Sequence, residues 1–222
     1  MKKKLLCACA LIVALTVSAA LAEGRIDISR ENYCLNDDGD RAYVFAKVEN
    51  NGDAPIRVAD SHFELLDAEG KALADTETMK EYADYLQPGE YTYVSADIDL
   101  KDVEGTIADH SLSIKGKDGD KYTSVRLDTE WALDPDDREA VLLTVTNNTG
   151  DVLYGVKGAV CFLNGEDIVA LNSVSMLSKV GINPGSSVTM KVEAPTDLKD
   201  AVKAVGMENL TFDAVACANV KN

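Results

Sequence analysis

The chain carries nearly the same series of segments twice, and this duplication constrains its fold more than any other feature. Tyr33-Cys34-Leu35-Asn36-Asp37-Asp38 returns as Trp131-Ala132-Leu133-Asp134-Pro135-Asp136. Val48-Glu49-Asn50-Asn51-Gly52-Asp53 returns as Val145-Thr146-Asn147-Asn148-Thr149-Gly150-Asp151, and Leu86-Gln87-Pro88-Gly89 as Ile182-Asn183-Pro184-Gly185. Asp99-Leu100-Lys101-Asp102 returns unchanged as Asp197-Leu198-Lys199-Asp200. Repeats of roughly 20–50 residues mean solenoids; one of about a hundred residues is the size of a whole domain. The sequence therefore predicts an internal duplication, with domains over residues 23–119 and 120–222.

Within each copy the apolar residues fall in short, alternating runs. Ala42 to Val48 precedes the turn Asn50-Asn51-Gly52-Asp53, where Asn and Gly tolerate the positive φ of a tight hairpin connection. Ile56 to Leu66 and Leu153 to Leu163 are long enough for central strands. Pro88-Gly89 and Pro184-Gly185 fit the two middle positions of a type II turn, each before another alternating run. Short strands with turns at regular intervals predict an all-β chain of two tandem immunoglobulin-like β-sandwich domains. A helical turn is expected at Asp197 to Val205, and a second in the connection Thr76 to Tyr85.

Residues 1–22 have the pattern of a secretion signal. Lys2, Lys3 and Lys4 precede an apolar core, and Ala20-Leu21-Ala22 is a small-x-small cleavage site before Glu23. The core is too short for a membrane span, and no cysteine follows the cleavage site as a lipoprotein requires. The expected location is secreted or extracytoplasmic, in the cell envelope, with no membrane span. The formal net charge of −16 becomes more negative once three leader lysines are removed. Such a surface is repelled by nucleic acid and by anionic lipid. Of five cysteines, Cys7 and Cys9 lie in the leader, leaving Cys34, Cys161 and Cys217. No pair recurs in both copies, so no disulfide framework defines the fold; any bridge is expected between Cys161 and Cys217, because both lie in predicted strands of the same sandwich.

Copy one also carries Phe63-Glu64-Leu65-Leu66-Asp67, then Glu69-Gly70-Lys71, then Leu86-Gln87-Pro88-Gly89-Glu90, with the Asn-rich turn upstream. This resembles the FxLYD-type domain of exported bacterial proteins. Leu66 stands where that family has Tyr, and in copy two Asn164-Gly165 interrupts the motif after Phe162-Leu163. The resemblance implies a small β-sandwich on an envelope protein and offers no catalytic residues to carry over.

The residues themselves give an enzyme little to work with. His62 and His110 are the only histidines, and neither recurs in copy two. No nucleotide fingerprint, P-loop or Cys-x-x-Cys is present. The paired acidic loops Asn36-Asp37-Asp38-Gly39-Asp40 and Asp134-Pro135-Asp136-Asp137 could offer calcium its oxygen ligands. Yet EF-hand spacing centred on Gly39 puts Cys34 and Phe45 at the first and last ligand positions. Tyr33 and Trp131 recur as aromatic fillers of the same core hole. Tyr82, Tyr85, Tyr91 and Tyr93 cluster in copy one alone. Tyr91 and Tyr93 share a strand face, so Tyr82 and Tyr85, in a connection that lacks aromatics in copy two, are the accessible binding candidates. The expected function is non-catalytic binding or scaffolding of an unknown protein or glycan at the cell surface, with no cofactor and no metal. The alternative is a calcium-dependent carbohydrate- or surface-binding module, and a hydrolase is the least supported class.

Overall fold

The computed structural model describes residues 24–83, 85–119, 124–176 and 179–220. The expected leader and cleavage site lie outside the described residues, as does Asp120 at the expected domain boundary. Among the described residues, sixteen strands run in chain order: β1 (Ile26–Leu35), β2 (Arg41–Asn50), β3 (Ile56–Leu66), β4 (Ala72–Thr76), β5 (Lys80–Glu81), β6 (Tyr85–Leu86), β7 (Tyr91–Asp99) and β8 (Asp109–Asp118) in the first half. The second half has β9 (Ser124–Arg126), β10 (Asp128–Leu133), β11 (Ala140–Thr146), β12 (Leu153–Asn164), β13 (Asp167–Ser175), β14 (Gly181–Ile182), β15 (Ser187–Glu193) and β16 (Thr211–Val220). A 3-10 turn at Thr196–Leu198 leads into the helix α1 (Lys199–Val205), where the helical turn was expected. No helix among the described residues is long and apolar enough to cross a membrane.

The chain is all-β and every sheet is antiparallel. In the first half β1-β2-β7-β5 form one sheet, and β3 is flanked by β4 and β8 in another. In the second half β10-β11-β15 form one sheet and β13-β12-β16-β9 the other. The order β1-β2-β7 thus matches β10-β11-β15, and β4-β3-β8 matches β13-β12-β16. Each half is a β-sandwich. Ala42, Val44, Phe63, Leu65, Ala96 and Ile98 fill one end of the first core, and Ala46, Val48, Ile56, Val58, Leu86 and Val94 the other. Val141, Leu143, Val145, Val160, Phe162 and Phe212 fill the second.

Two asparagines explain why the turns repeat. Asn50 and Asn147 are both 0% exposed; Asn50 ends β2 and Asn147 directly follows β11. The Asn50 amide donates to the carbonyls of Ala54 and Leu86, and that of Asn147 to Asp151 and Ile182. Their backbone carbonyls accept from Gly89 and Gly185 of the Pro-Gly turns. Gly89 and Gly185 have φ of 81° and 70°, and Glu90 and Ser186 donate back across each turn, as type II geometry requires. One expectation is corrected here. The segment after Asn50 is not a tight hairpin, because it crosses from one sheet to the facing one. No residue in it takes positive φ; the Asn50 side-chain oxygen accepts from the Gly52 amide and makes the turn instead.

The sandwiches also pack on each other. The β1-β2-β7 sheet has its even residues of β2 in its own core, so Tyr43, Phe45 and Lys47 face outward. Register sets them opposite Asp97, Ser95 and Tyr93 of β7. That outer face meets the β13-β12-β16 sheet, where Cys161, Leu171 and Val215 complete a buried seam with Phe45 and Tyr93. The result is a stack of four sheets.

Candidate functional site

Tyr93 is 1% exposed and its hydroxyl donates to Asp213 Oδ2 at 2.7 Å; Tyr91 donates to Oδ1 at 2.8 Å. Burial first, then the Asp213 charge, pushes the Tyr91 phenol up to about 12. Burial likewise pushes up the Tyr93 phenol and the neighbouring Cys161 thiol. Arg126 donates to the Tyr91 carbonyl at 2.7 Å, and Lys47 sits 4.0 Å above the Tyr91 ring. At the other edge, Asn32 exchanges two hydrogen bonds with the backbone of Ile168. Tyr43 donates to Asp197 at 2.7 Å, and burial together with that carboxylate pushes its phenol up to about 12. The seam is therefore held by phenol-carboxylate pairs, which are strong because the acceptor is charged.

Between Tyr43 and Tyr82 the seam opens into a cleft of about 210 Å³. Lys80, Ser95, Asp97, Ser173 and Pro195 are on its wall, and Phe45, Tyr82, Leu171 and Leu198, all buried, lie behind it. Asp97 accepts from Arg41 at 2.8 Å, with Lys80 Nζ at 3.9 Å, and that carboxylate pushes the Arg41 guanidinium up. The short strand β5 pairs with β7 and carries Lys80 to this edge. Tyr82 follows directly.

Tyr82 is thus placed in a cleft wall, not on an exposed loop. It is 8% exposed, and its hydroxyl shares a 2.9 Å hydrogen bond with Ser95. Tyr85 is half-buried in β6, where its hydroxyl accepts from Gln87. No helical turn forms between Thr76 and Tyr85 among the described residues, so the two rings do not share a helix face. Tyr43, Asp97 and Ser173 escaped sequence reasoning. The signal was present in β2, where Tyr43-x-Phe45 puts two large rings on a face that simple alternation assigns to solvent.

Other candidates take structural places. Asp40 accepts from Asn36, and Asp134 accepts from the Asp136 amide and lies 3.7 Å from Lys191. Among the described residues no three His, Cys, Asp or Glu side chains converge to hold a metal. His62 meets Asp75 at 3.3 Å on the surface, and the His110 ring packs against Tyr33 and Phe63. Trp131 is 44% exposed and caps Phe212 at the sandwich edge, so it does not plug the core as expected, whereas Tyr33 packs partly buried against its own core.

The cysteine expectation is also corrected. Cys161 and Cys217 lie in adjacent strands, but Cys161 faces Asp213 and Cys217 faces Lys157. Four residues out of register is about 13 Å, and a bridge needs Cα atoms within about 7 Å. Cys34, Cys161 and Cys217 form no disulfide.

No protein family and no curated protein matches the chain. Among solved structures, the crystal structure of red sea bream transglutaminase is similar to it at a TM-score of 0.26 and 9% identity. The match covers 77% of this chain and only 27% of that one, a likeness too loose to carry fold or function across.

Proposed function

We propose that this chain is an exported, non-catalytic binding or scaffolding protein of the bacterial cell envelope, built from two immunoglobulin-like sandwiches that arose by duplication. The seam cleft carries the reading. It is a concave site lined by residues of both halves, with the Asp97 carboxylate and the Ser95 and Ser173 hydroxyls on its wall, and recognition sites are concave and carry a few fixed polar groups. It uses Tyr82, from a connection that carries aromatic residues in the first half and none in the second. The leader-like residues Lys2 to Ala22 and the resemblance of residues 48–90 to the FxLYD-type domain support an envelope location. Both histidines serve packing or a surface pair, which supports a non-catalytic role.

Expression of the full chain with its own N-terminus tests this. The expected product begins at Glu23, is recovered outside the cytoplasm, and is retained on isolated envelopes. An uncleaved cytoplasmic product overturns the reading.

A further inference from the structure

The two halves differ at one sheet edge. In the first half the order β1-β2-β7 continues to β5, which pairs with β7 through Lys80↔Ser95 and Glu81↔Val94. In the second half the matching order β10-β11-β15 stops at β15, which pairs with β11 alone among the described residues. The Asn147 amide donates to the Ser186 carbonyl, and this fixes the phase of that ladder. Backbone groups alternate in direction along an antiparallel strand. Val188, Met190 and Val192 therefore turn theirs to β11, and Ser187, Thr189, Lys191 and Glu193 turn theirs to the open edge. There the Glu193 carbonyl accepts from the Asn172 amide at 2.7 Å, and the row has no strand beside it among the described residues.

An open edge is normally guarded by charge. β10 carries Asp128 and Glu130, and β8 carries Asp109, Lys115, Lys117 and Asp118. β15 differs, because each of its exposed side chains is tied back to its own sandwich. Ser187 and Thr189 share 2.8 Å hydrogen bonds with Thr146 and Thr144. Lys191 lies 2.6 Å from Asp137, and Glu193 lies 3.4 Å from Lys199. The inward side chains Val188 and Met190 stay half-buried, since no strand follows to cover them.

The strand is also complementary to itself. Outward groups bond only to outward groups, so odd positions must face odd positions. A two-fold axis at Met190 sets Ser187 against Glu193 and Thr189 against Lys191, with no like charges opposed. An axis at Lys191 would oppose two lysines, and one at Val192 would carry the ladder past the strand end to Pro195. With the axis at Met190, Met190 meets its own copy and Val188 meets Val192 along the core side.

We propose that β15 is a self-association edge: two copies of this chain pair their β15 strands antiparallel about Met190 and join their three-stranded sheets into one. Each copy then supplies the other with the strand that β5 supplies within the first half. A two-fold contact of this kind closes on itself and stops at the dimer.

The test is sedimentation velocity of the chain from residue 23 onward, which keeps every described residue, over a concentration series up to millimolar. Salt is added to screen the repulsion between two acidic chains. A concentration-dependent dimer with no larger species is expected. Thr189→Pro removes a donor that faces the open edge and leaves the β11 ladder whole, so its melting temperature is expected to change little. It is expected to weaken dimerisation by about tenfold or more, through the loss of paired backbone hydrogen bonds. Met190→Cys places two thiols in a non-hydrogen-bonded pair with Cα atoms about 4.5 Å apart, within disulfide range. Mild oxidation is expected to link that variant. The parent and Val188→Cys, whose new thiols fall about 13 Å apart, are expected not to link. A monomer at every concentration overturns the proposal and leaves the edge to a strand of another protein. Dimerisation unchanged in a folded Thr189→Pro, assemblies that grow beyond the dimer, or failure of Met190→Cys to link each overturn it as well. If Thr189→Pro does not fold, the Met190→Cys link decides alone.

Discussion

The Tyr93 hydroxyl and the Asp213 carboxylate lie 2.7 Å apart across the seam, joining strands 120 residues apart in sequence. Asp213 also holds Tyr91, so one carboxylate satisfies two phenols of the other half. Asp213→Ala leaves both hydroxyls without their acceptor, at a cost of about 1–3 kcal/mol for each. Asp213→Asn keeps an acceptor oxygen and is expected to lose less. Urea titration of both variants measures the difference. Parent-like stability in Asp213→Ala would show that these pairs do not hold the seam.

The same seam sets how the halves behave apart. The sequence predicts that residues 23–119 and 120–222 each fold alone, since each has a full strand set. Separation, however, uncovers Phe45 and Tyr93, each 1% exposed, and Cys161 and Val215, each 0% exposed. Each isolated half is expected to melt cooperatively but below the intact chain, and equimolar mixing is expected to form a one-to-one complex. Calorimetry and gel filtration check this. Halves that melt as high as the whole and ignore each other would mean that the seam contributes nothing.

The strand plan was legible because it is local. Alternation marked the strands, and the recurring Asn-rich turns marked their ends, although Asn50 and Asn147 act there through their side chains and not through positive φ. The seam was not legible. Sequence alternation shows which face of a strand is uniform, not what covers it, so Tyr91 and Tyr93 read as a sandwich surface. Their cover, Asp213 on β16, has no local signature. Register is equally silent: Cys161 and Cys217 lie in neighbouring strands, and only the pairing with Asp213 and Lys157 shows that they cannot bridge. The cleft residue Tyr82 was found for its uneven occurrence, but its burial depends on the distant half.

The seam phenols make stability fall in alkali. An unfolded tyrosine titrates near pH 10. Burial beside a carboxylate pushes Tyr91 and Tyr43 up to about 12, and Tyr93 upward as well. The folded state therefore holds these protons more tightly than the unfolded state. Their contribution is full below about pH 10 and is lost as pH rises through about 12. Melting temperatures are expected to fall across that window, with phenolate absorbance rising as the chain unfolds. The double variant Tyr91→Phe, Tyr93→Phe is expected to show a shallower fall. A parent melting temperature that stays level through the window contradicts this account.

His110 gives the last prediction, and its sign is opposite. Its Nε2 is buried and has no hydrogen-bond partner among the described residues. The ring lies 5.3 Å from that of Tyr33 and 6.0 Å from that of Phe63, within the first sandwich's aromatic end. A buried polar atom left unsatisfied costs about 1–3 kcal/mol, whereas an apolar ring of similar shape carries no such cost. His110 Nδ1 is 3.8 Å from Asp109, an aspartate whose side chain is largely exposed, so replacing the histidine loses at most a weak pair. His110→Phe is therefore expected to stabilise the chain by about 1 kcal/mol, which raises Tm by about 2–4 °C at this size. His110→Asn separates packing from polarity. It keeps a polar group and loses the ring, so it is expected to lower Tm. If His110→Phe also lowers Tm, the Nε2 atom has a partner that the packing does not reveal, and the imidazole is serving the fold.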